Sequence, residues 1–468
     1  MVAEIETTRS FSRAAVEALT AAKGEPAWLR DWRLAAWATY EATPMPTRQD
    51  EDWRRTDIRA LKLDEFAPPS WGEPSSPPSF TGKGVGGLGP SSPPSLIGRG
   101  AGGVGRPLPA GLRPYAARKR DLAGLLVHQD GTCVRRDVAG DLPAGVVFTD
   151  LDSAVREHGE LVQRYLGTTV PATAGKFPAL NAALWSGGTF VYVPRNVEVA
   201  LPLASLRWQE APGAALFPRT LIVLERGACL TFIGDSRSLD QEAAALHNGV
   251  VELQVGDNAR LHYVALQRWG RHVWDFTHER ARLGRDAQMK WAVGAVGGRL
   301  TKAYVQAELA QPGASARLVG VVCGDGTQHF DHHTLQDHVA PHATSDLLFK
   351  TALKDKARAV FVGLIHVHRE AQQTDAYLAN RNLLLSETAK ADAIPRLEIE
   401  ANDVRCTHGA TVAPVDPEQV FYLETRGLPH DDAERMIVEG FFEPILAEIP
   451  AESIRERMRE AISEKTAE

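Results

Sequence analysis

A chain of 468 residues is too long for one ordinary globular core, so it holds several structural units or an elongated repeat that lengthens without thickening. Its 44% hydrophobic and 24% charged residues are those of a soluble folded protein, and no apolar run reaches the roughly 18 residues that a membrane span needs. Fifty-two basic against fifty-nine acidic residues give a net charge of −7 with no basic block, which argues against nucleic acid as the main partner.

The start of the chain, with Glu4, Glu6 and Glu17 and no apolar segment, is unlike a secretory or transit leader. Residues 10–41 predict helix, with Trp28, Trp32 and Trp37 recurring near one helical turn, and Pro44 and Pro46 break the pattern. A charged stretch with Trp53, Ile58, Leu61 and Leu63 follows, and 1–66 is read as an N-terminal helical region. From 67 to 115 the composition turns to proline, glycine and serine, and "PSSPPSFTGKGVGGLG" (74–89) is followed at once by "PSSPPSLIGRGAGGVG" (90–105). Each copy of this tandem 16-residue duplication contains GxGxxG: Gly84, Gly86 and Gly89, then Gly100, Gly102 and Gly105. A dinucleotide loop must leave a buried strand and open a helix, which the surrounding prolines and glycines prevent, so the stretch reads as a disordered linker.

Residues 116–415 begin with a lead-in. "GLLVHQDGTCVRR" (124–136) predicts a hairpin turning at Asp130-Gly131, and 151–167 has helical spacing with Val155, Leu161, Val162 and Leu166 for one face. After Gly187 a unit recurs in which a strand reaches a turn, then a small residue, then a second strand. The aligned alanines are Ala228, Ala259, Ala287, Ala316, Ala357 and Ala389, separated by 31, 28, 29, 41 and 32 residues. Repeats of this length that cannot bury their own faces indicate a stacked solenoid, and short strands make it a β-helix. A β-sandwich is the alternative. Residues 416–468 predict helices: Asp416 as N-cap, Pro417 at the first position and Gly427 past the end, then a helix from about Asp431 with a stripe of Ala433, Ile437 and Phe441. A third, from about Ala451, carries Ile454, Met458 and Ile462. Such helices either cap the open end of a solenoid or dock a partner.

Three clusters have the residue types of a metal site. In "HFDHHTLQDHVAPH" (329–342), strand alternation puts His329, Asp331 and His333 on one face and His332 on the other; ladders that satisfy turns between coils are the expected role. His366 and His368 share parity, and nothing else nearby completes a site. In "DVRCTHGATV" (403–412), Val404, Cys406 and His408 share a strand face, opposite Arg405 and Thr407. Cys406 is either a core thiol or, with His408, half of a site for a soft transition metal or iron–sulfur cluster whose other ligands come from elsewhere. The four cysteines (Cys133, Cys229, Cys323, Cys406) lie far apart without CxxC, so the expected compartment is reducing and cytoplasmic.

Residues 395–442, from "PRLEIEANDVRCTHGAT" through "FYLETRG" to "VEGFF", resemble the C-terminal signature of the SufB/SufD family of the SUF iron–sulfur cluster assembly system. Residues 356–386 and "FPALNAALWSGGTFVYVP" (177–194) resemble earlier blocks, and the tryptophan-rich N-terminal region resembles that of SufD proteins. The SufB version reads HEAT where this chain has "HGAT", with Gly409 at the glutamate position, so the resemblance is to SufD. It implies a right-handed parallel β-helix and a non-enzymatic scaffold subunit that forms a heterodimer with a SufB-like paralogue. It also implies a SufC-like ABC ATPase docked on the C-terminal helices, and a transient iron–sulfur cluster assembled where Cys406 and His408 face the paralogue. Phe421 and Tyr422, with Ile437 and Phe441 behind them, are the expected docking anchors. No tightly bound cofactor is expected in the isolated chain, and whether it forms a homodimer without the paralogue is left open. A β-helix carbohydrate-active enzyme is the alternative function.

Overall fold

The structure is a computed structural model that describes residues 11–67, 121–138, 142–449 and 452–466. Both glycine-rich copies of the linker lie outside these residues. In chain order the first strands are β1 (Gly124–Gln129), β2 (Thr132–Val138), β3 (Val147–Asp150), β4 (Gly188–Val193), β5 (Leu203–Gln209), β6 (Ala215–Leu216) and β7 (Arg219–Leu224). Next come β8 (Cys229–Ser238), β9 (Ala245–Val255), β10 (Arg260–Arg268), β11 (Val273–Leu283), β12 (Gln288–Ala295), β13 (Leu300–Leu309) and β14 (Ser315–Gly324). The last are β15 (His329–His338), β16 (Thr344–Leu353), β17 (Arg358–Val367), β18 (Asp375–Leu384), β19 (Lys390–Ile399) and β20 (Arg405–Pro414). From β7 onward consecutive strands alternate between two sheets, one ordered β2-β1-β5-β8-β10-β12-β14-β16-β18-β20 and the other β19-β17-β15-β13-β11-β9-β7-β4-β3. Pairing is parallel in both apart from the hairpin β1–β2 and the pair β3–β4. This is a flattened β-solenoid, and the parallel register excludes the sandwich.

The corners explain the repeat. Asn196, Gly227, Asn258, Asp286, Gly313, His342 and Gln373 occupy the same step of successive coils, and all have φ between 54° and 75°. Glycine, asparagine and aspartate tolerate this left-handed conformation best, and they fill five of the seven positions. Each donates its backbone N–H to a corner carbonyl of the next coil, at 2.6–3.3 Å, from Asn196 to Arg226 at one end and Gln373 to Asp403 at the other. The residue after the corner turns inward where space is tightest, hence the fully buried column Ala228, Ala259, Ala287, Ala314 and Ala343. Ala314, not Ala316, is thus the aligned alanine; Ala316 pairs with Met289 inside β14. Ala357 and Ala389 form a second column before β17 and β19 in the other sheet, which accounts for the 41-residue step in the expected spacing. Between the sheets, side chains stack in register, as in the run Phe232, Tyr263, Trp291, Leu318, Leu347, Leu378. All six are at most 1% exposed, each burial worth about 1.5–3 kcal/mol.

The expected hairpin forms, with Asp130 and Gly131 both at positive φ as a two-residue turn between right-twisted strands requires. The expected N-terminal helix is two, α1 (Arg13–Lys23) and α2 (Ala27–Ala42), divided at Gly24 in the left-handed region. Likewise 151–167 forms α3 (Leu151–Glu157) and α4 (Gly159–Tyr165), interrupted at His158. Together with α5 (Lys176–Leu184) they pack on the second sheet: Arg33, fully buried, pairs with Glu25 at 2.7 Å and lies 4.3 Å from the Trp185 ring. Trp53 and Phe177 stack toward Phe276 of β11.

At the other terminus, α6 (Pro417–Thr425) is capped by Asp416, whose side chain accepts from Glu418 N, and closes with Gly427 at φ 92°. The Leu428 N–H to Leu423 and Gly427 N–H to Glu424 bonds complete a Schellman motif there. In α7 (His430–Leu446) the buried stripe is Ala433, Val438, Phe442, Ile445 and Leu446; Ile437 and Phe441, expected on it, flank it half-buried. Helix α8 (Glu452–Thr466) buries Ile454, Met458 and Ile462 as its spacing predicts. Both helices cover the outer face of the first sheet, against Val319, Val321 and Ala352, and leave the last coil bare.

Candidate functional site at the open end of the solenoid

The final strand carries the Cys–His pair. In the register of β18 and β20, Ala376 faces Cys406 and Leu378 faces His408. His408 therefore ends the inward column of Phe232, Tyr263, Trp291, Leu318, Leu347 and Leu378, and Cys406 ends the neighbouring one. With no further coil beyond β20, an inward position becomes an exposed one: His408 is exposed and Cys406 half-buried, packed with Val404 against the end of the core. Arg405, facing the other way, pairs with Asp375. Burial, then the Asp375 charge, raises the Cys406 thiol above its ordinary range, against a hydrogen bond from the Ala376 backbone. The thiol is thus protonated at neutral pH in the isolated chain. The other cysteines are less available. Burial pushes Cys133 and Cys323 up to about 12, and Cys229 Sγ accepts from Arg260 Nε at 3.2 Å.

The histidine-rich strand β15 divides by parity as expected. His329, Asp331 and His333 face outward under the N-terminal segment, where Lys302 Nζ lies 2.7 Å from both Asp331 Oδ2 and His333 Nε2. Thr56 completes the cluster, bonding Asp331 and, at 3.0 Å, His329. Burial alone would raise the Asp331 carboxyl, but the His333 hydrogen bond and the Lys302 charge hold it well below the usual carboxylate range. The protein's own ammonium occupies the place a metal ion would take. His332 points inward beside a cavity of about 60 Å³ that Arg207, His247, Asp275 and Glu279 also line. Burial lowers His332 to about 4 and raises Glu279 to about 7. His338 bonds Ser345 Oγ at 2.7 Å, and His342 is a corner residue.

His366 and His368 do have a third neighbour, contrary to the sequence reading. Asp337, one coil earlier, is paired with His366 in the register of β15 and β17. The coil length was the signal that could have found it.

On the C-terminal helices Phe421 and Tyr422 are 66% and 56% exposed, with Met436 beside them in type at 50%. Phe441 is engaged within the chain: Lys350 Nζ donates to its carbonyl at 2.6 Å and lies 4.8 Å from its ring.

A family profile described as "SUF system FeS cluster assembly, SufBD core domain" matches residues 207–441, and one described as "SufBD protein N-terminal region" matches 124–204. An iron-sulfur cluster assembly SufBD family protein of Staphylococcus saprophyticus is 32% identical over 337 residues, 72% of each chain. The chain belongs to the SufBD family. SufBD family proteins of Staphylococcus epidermidis and of Staphylococcus aureus strain MRSA252 are each 29% identical over 96% of this chain and 92% of their own. The core match places this SufBD chain in SUF-system iron–sulfur cluster assembly and takes in Cys406, His408, Phe421, Tyr422, Ile437 and Phe441. No helix among its described residues is long and apolar enough to cross a membrane.

Proposed function

We propose that this SufBD chain is a SufD-type, non-enzymatic scaffold subunit that joins a SufB-like paralogue through its last coil and assembles a cluster at that junction. The observation that carries the reading is the substitution pattern at the open end. A column that is apolar through six coils finishes in histidine, and its neighbour finishes in cysteine, where the next surface must come from another chain. Thiolate and imidazole are both competent iron ligands, and two of them are half of a four-ligand site. The iron and sulfide are cargo here. Gly409 supports the SufD-type assignment: an added Cβ would meet only the Tyr377 hydroxyl, at 3.6 Å, so packing does not demand glycine where the SufB version has glutamate. A SufC-like ATPase would dock on Phe421 and Tyr422, the exposed aromatic anchors that interfaces favour. The carbohydrate-active alternative has no comparable support, since the relatives are named for iron–sulfur cluster assembly.

Co-expression with a SufB-like paralogue and a SufC-like ATPase, followed by pull-down on this chain and iron and sulfide analysis, tests the reading. The expected result is a ternary complex that accepts a cluster. Solitary elution of the folded chain in the presence of both would overturn it.

A further inference from the structure

We propose that Asp337, His366 and His368 form a surface site for one divalent first-row transition-metal ion, separate from Cys406 and His408. The three side chains are brought together by the coil register alone. Asp337 of β15 is the direct partner of His366 in β17, and His368 follows two residues later on the same face. Their neighbours Gln336, His338, Ile365 and Val367 are fully buried, so the three point outward, with His366 23% and His368 39% exposed.

The donor atoms converge on one carboxylate oxygen. Asp337 Oδ1 lies 3.1 Å from His366 Nδ1 and 2.9 Å from His368 Nε2, and the two ring centroids are 4.1 Å apart. One donor atom from each residue fits within 4.8 Å of the others. Two imidazoles and a carboxylate on one side, with open positions toward water, are the ligand set that suits ferrous iron and zinc. The other carboxylate oxygen is steadied separately: Arg280 lies 3.6 Å from Asp337 Oδ2 while pairing with Glu308 at 3.1 Å. Such a contact orients the ligand without using the metal-facing oxygen. Glu400, 60% exposed, has Oε1 3.8 Å from His366 Nε2, the ring nitrogen turned away from Asp337, where it can orient the imidazole. The contrast with Asp331 is informative. There the same residue types surround the Lys302 ammonium, whereas Oδ1 of Asp337 faces only the two imidazoles among the described residues.

The test uses the full chain, stripped with chelator, in a Cys406→Ala/His408→Ala background that removes the other candidate ligands. Cobalt(II) is titrated while its visible d–d absorption is recorded, and zinc(II) is titrated by calorimetry. One equivalent of each is expected to bind. Asp337→Asn, nearly isosteric, is expected to weaken both by about tenfold or more, and His366→Ala/His368→Ala to abolish the cobalt bands with circular dichroism unchanged. Absence of stoichiometric binding in the background protein, or binding unaltered by Asp337→Asn, would overturn the proposal.

Discussion

Replacing His408 and Cys406 separately by alanine distinguishes a ligand pair from ordinary core residues. His408 is exposed, so its removal should alter folding stability by no more than about 0.5 kcal/mol. Cys406 is half-buried and packed against the end of the core, and losing one sulfur atom there should cost about 1 kcal/mol. For a chain of this size that shifts the melting temperature by no more than about 2 °C. If these residues only fill space, cluster content should follow stability: unchanged for His408→Ala and slightly reduced for Cys406→Ala. If they are ligands, the order is set by chemistry. His408→Ala should then reduce reconstituted iron and sulfide by about tenfold per mole of intact complex, although it is the less destabilising change. The complex with the paralogue should still form, because one imidazole contributes little to a large interface. The assay is iron and sulfide content of purified, concentration-matched complexes after anaerobic reconstitution, with melting curves on the same samples. His408→Ala complexes that load to the wild-type level would refute the half-site reasoning and make this histidine structural.

Three further outcomes are expected. Glu252 is fully buried, pairs with Arg219 at 2.7 Å and accepts the N–H groups of Gly167, Thr169 and Val170, so Glu252→Ala leaves a buried guanidinium without its counter-charge and three N–H donors without their acceptor. Urea unfolding should show a loss of about 3–5 kcal/mol, and a loss under about 1 kcal/mol would deny the network its role. Burial holds His128, His329, His332 and His338 near 4 instead of 6.5, so the unfolded chain takes up protons first as pH falls. Stability is therefore lost between pH 6.5 and 4, by on the order of 3 kcal/mol per histidine. Glu279, raised to about 7, gains stability as pH falls from 7 toward 4.5 and offsets only one of them. Circular dichroism should show unfolding complete above pH 4, and a folded chain at that pH contradicts the assignment. Finally, Phe421→Ala/Tyr422→Ala should reduce capture of the ATPase by about tenfold or more at unchanged melting temperature, as for paired interface anchors; undiminished capture moves the docking surface elsewhere.

The architecture was legible wherever a local rule decided it. Four of the seven corners announce themselves as Asn, Asp or Gly before alanine, and the Cys406–His408 parity follows from strand alternation alone. What escaped was set by contacts distant in sequence. Separating Ala357 from the column of Ala287 and Ala314 required knowing which sheet each strand joins, and turn-plus-alanine is the same signal in both. Asp337 was overlooked beside His366 because a linear reading looks for ligands nearby, whereas a solenoid supplies them one coil away. The stripe of α7 was set one residue off because Ile437 and Phe441 are as apolar as Val438 and Phe442; only the sheet face they meet chooses between them. Lys302 had no sequence signature as the cation of the Asp331 cluster.

The two strands at the open end differ in how they are protected, and the difference bears on where a partner lies. An unpaired edge invites pairing with any extended chain unless charge or proline discourages it. Strand β19 has both: Lys390, Asp392, Arg396 and Glu398, with Pro395 in the middle, which lacks a donor and is tolerated because one side of the strand is free. Arg396 is further committed to Glu51 at 2.5 Å. Strand β20 has one charged residue, Arg405 at its start, and one proline, Pro414 at its end; the eight residues between are small, apolar or the Cys–His pair, with Val412 44% exposed. The C-terminal helices that could have covered it are spent on Val319, Val321 and Ala352 of the first sheet. An edge guarded only at its two ends, in a chain that guards its neighbour along its length, fits the paralogue proposed above as its occupant. The partner strand should then lie along β20, on the side where Cys406 and His408 end their columns.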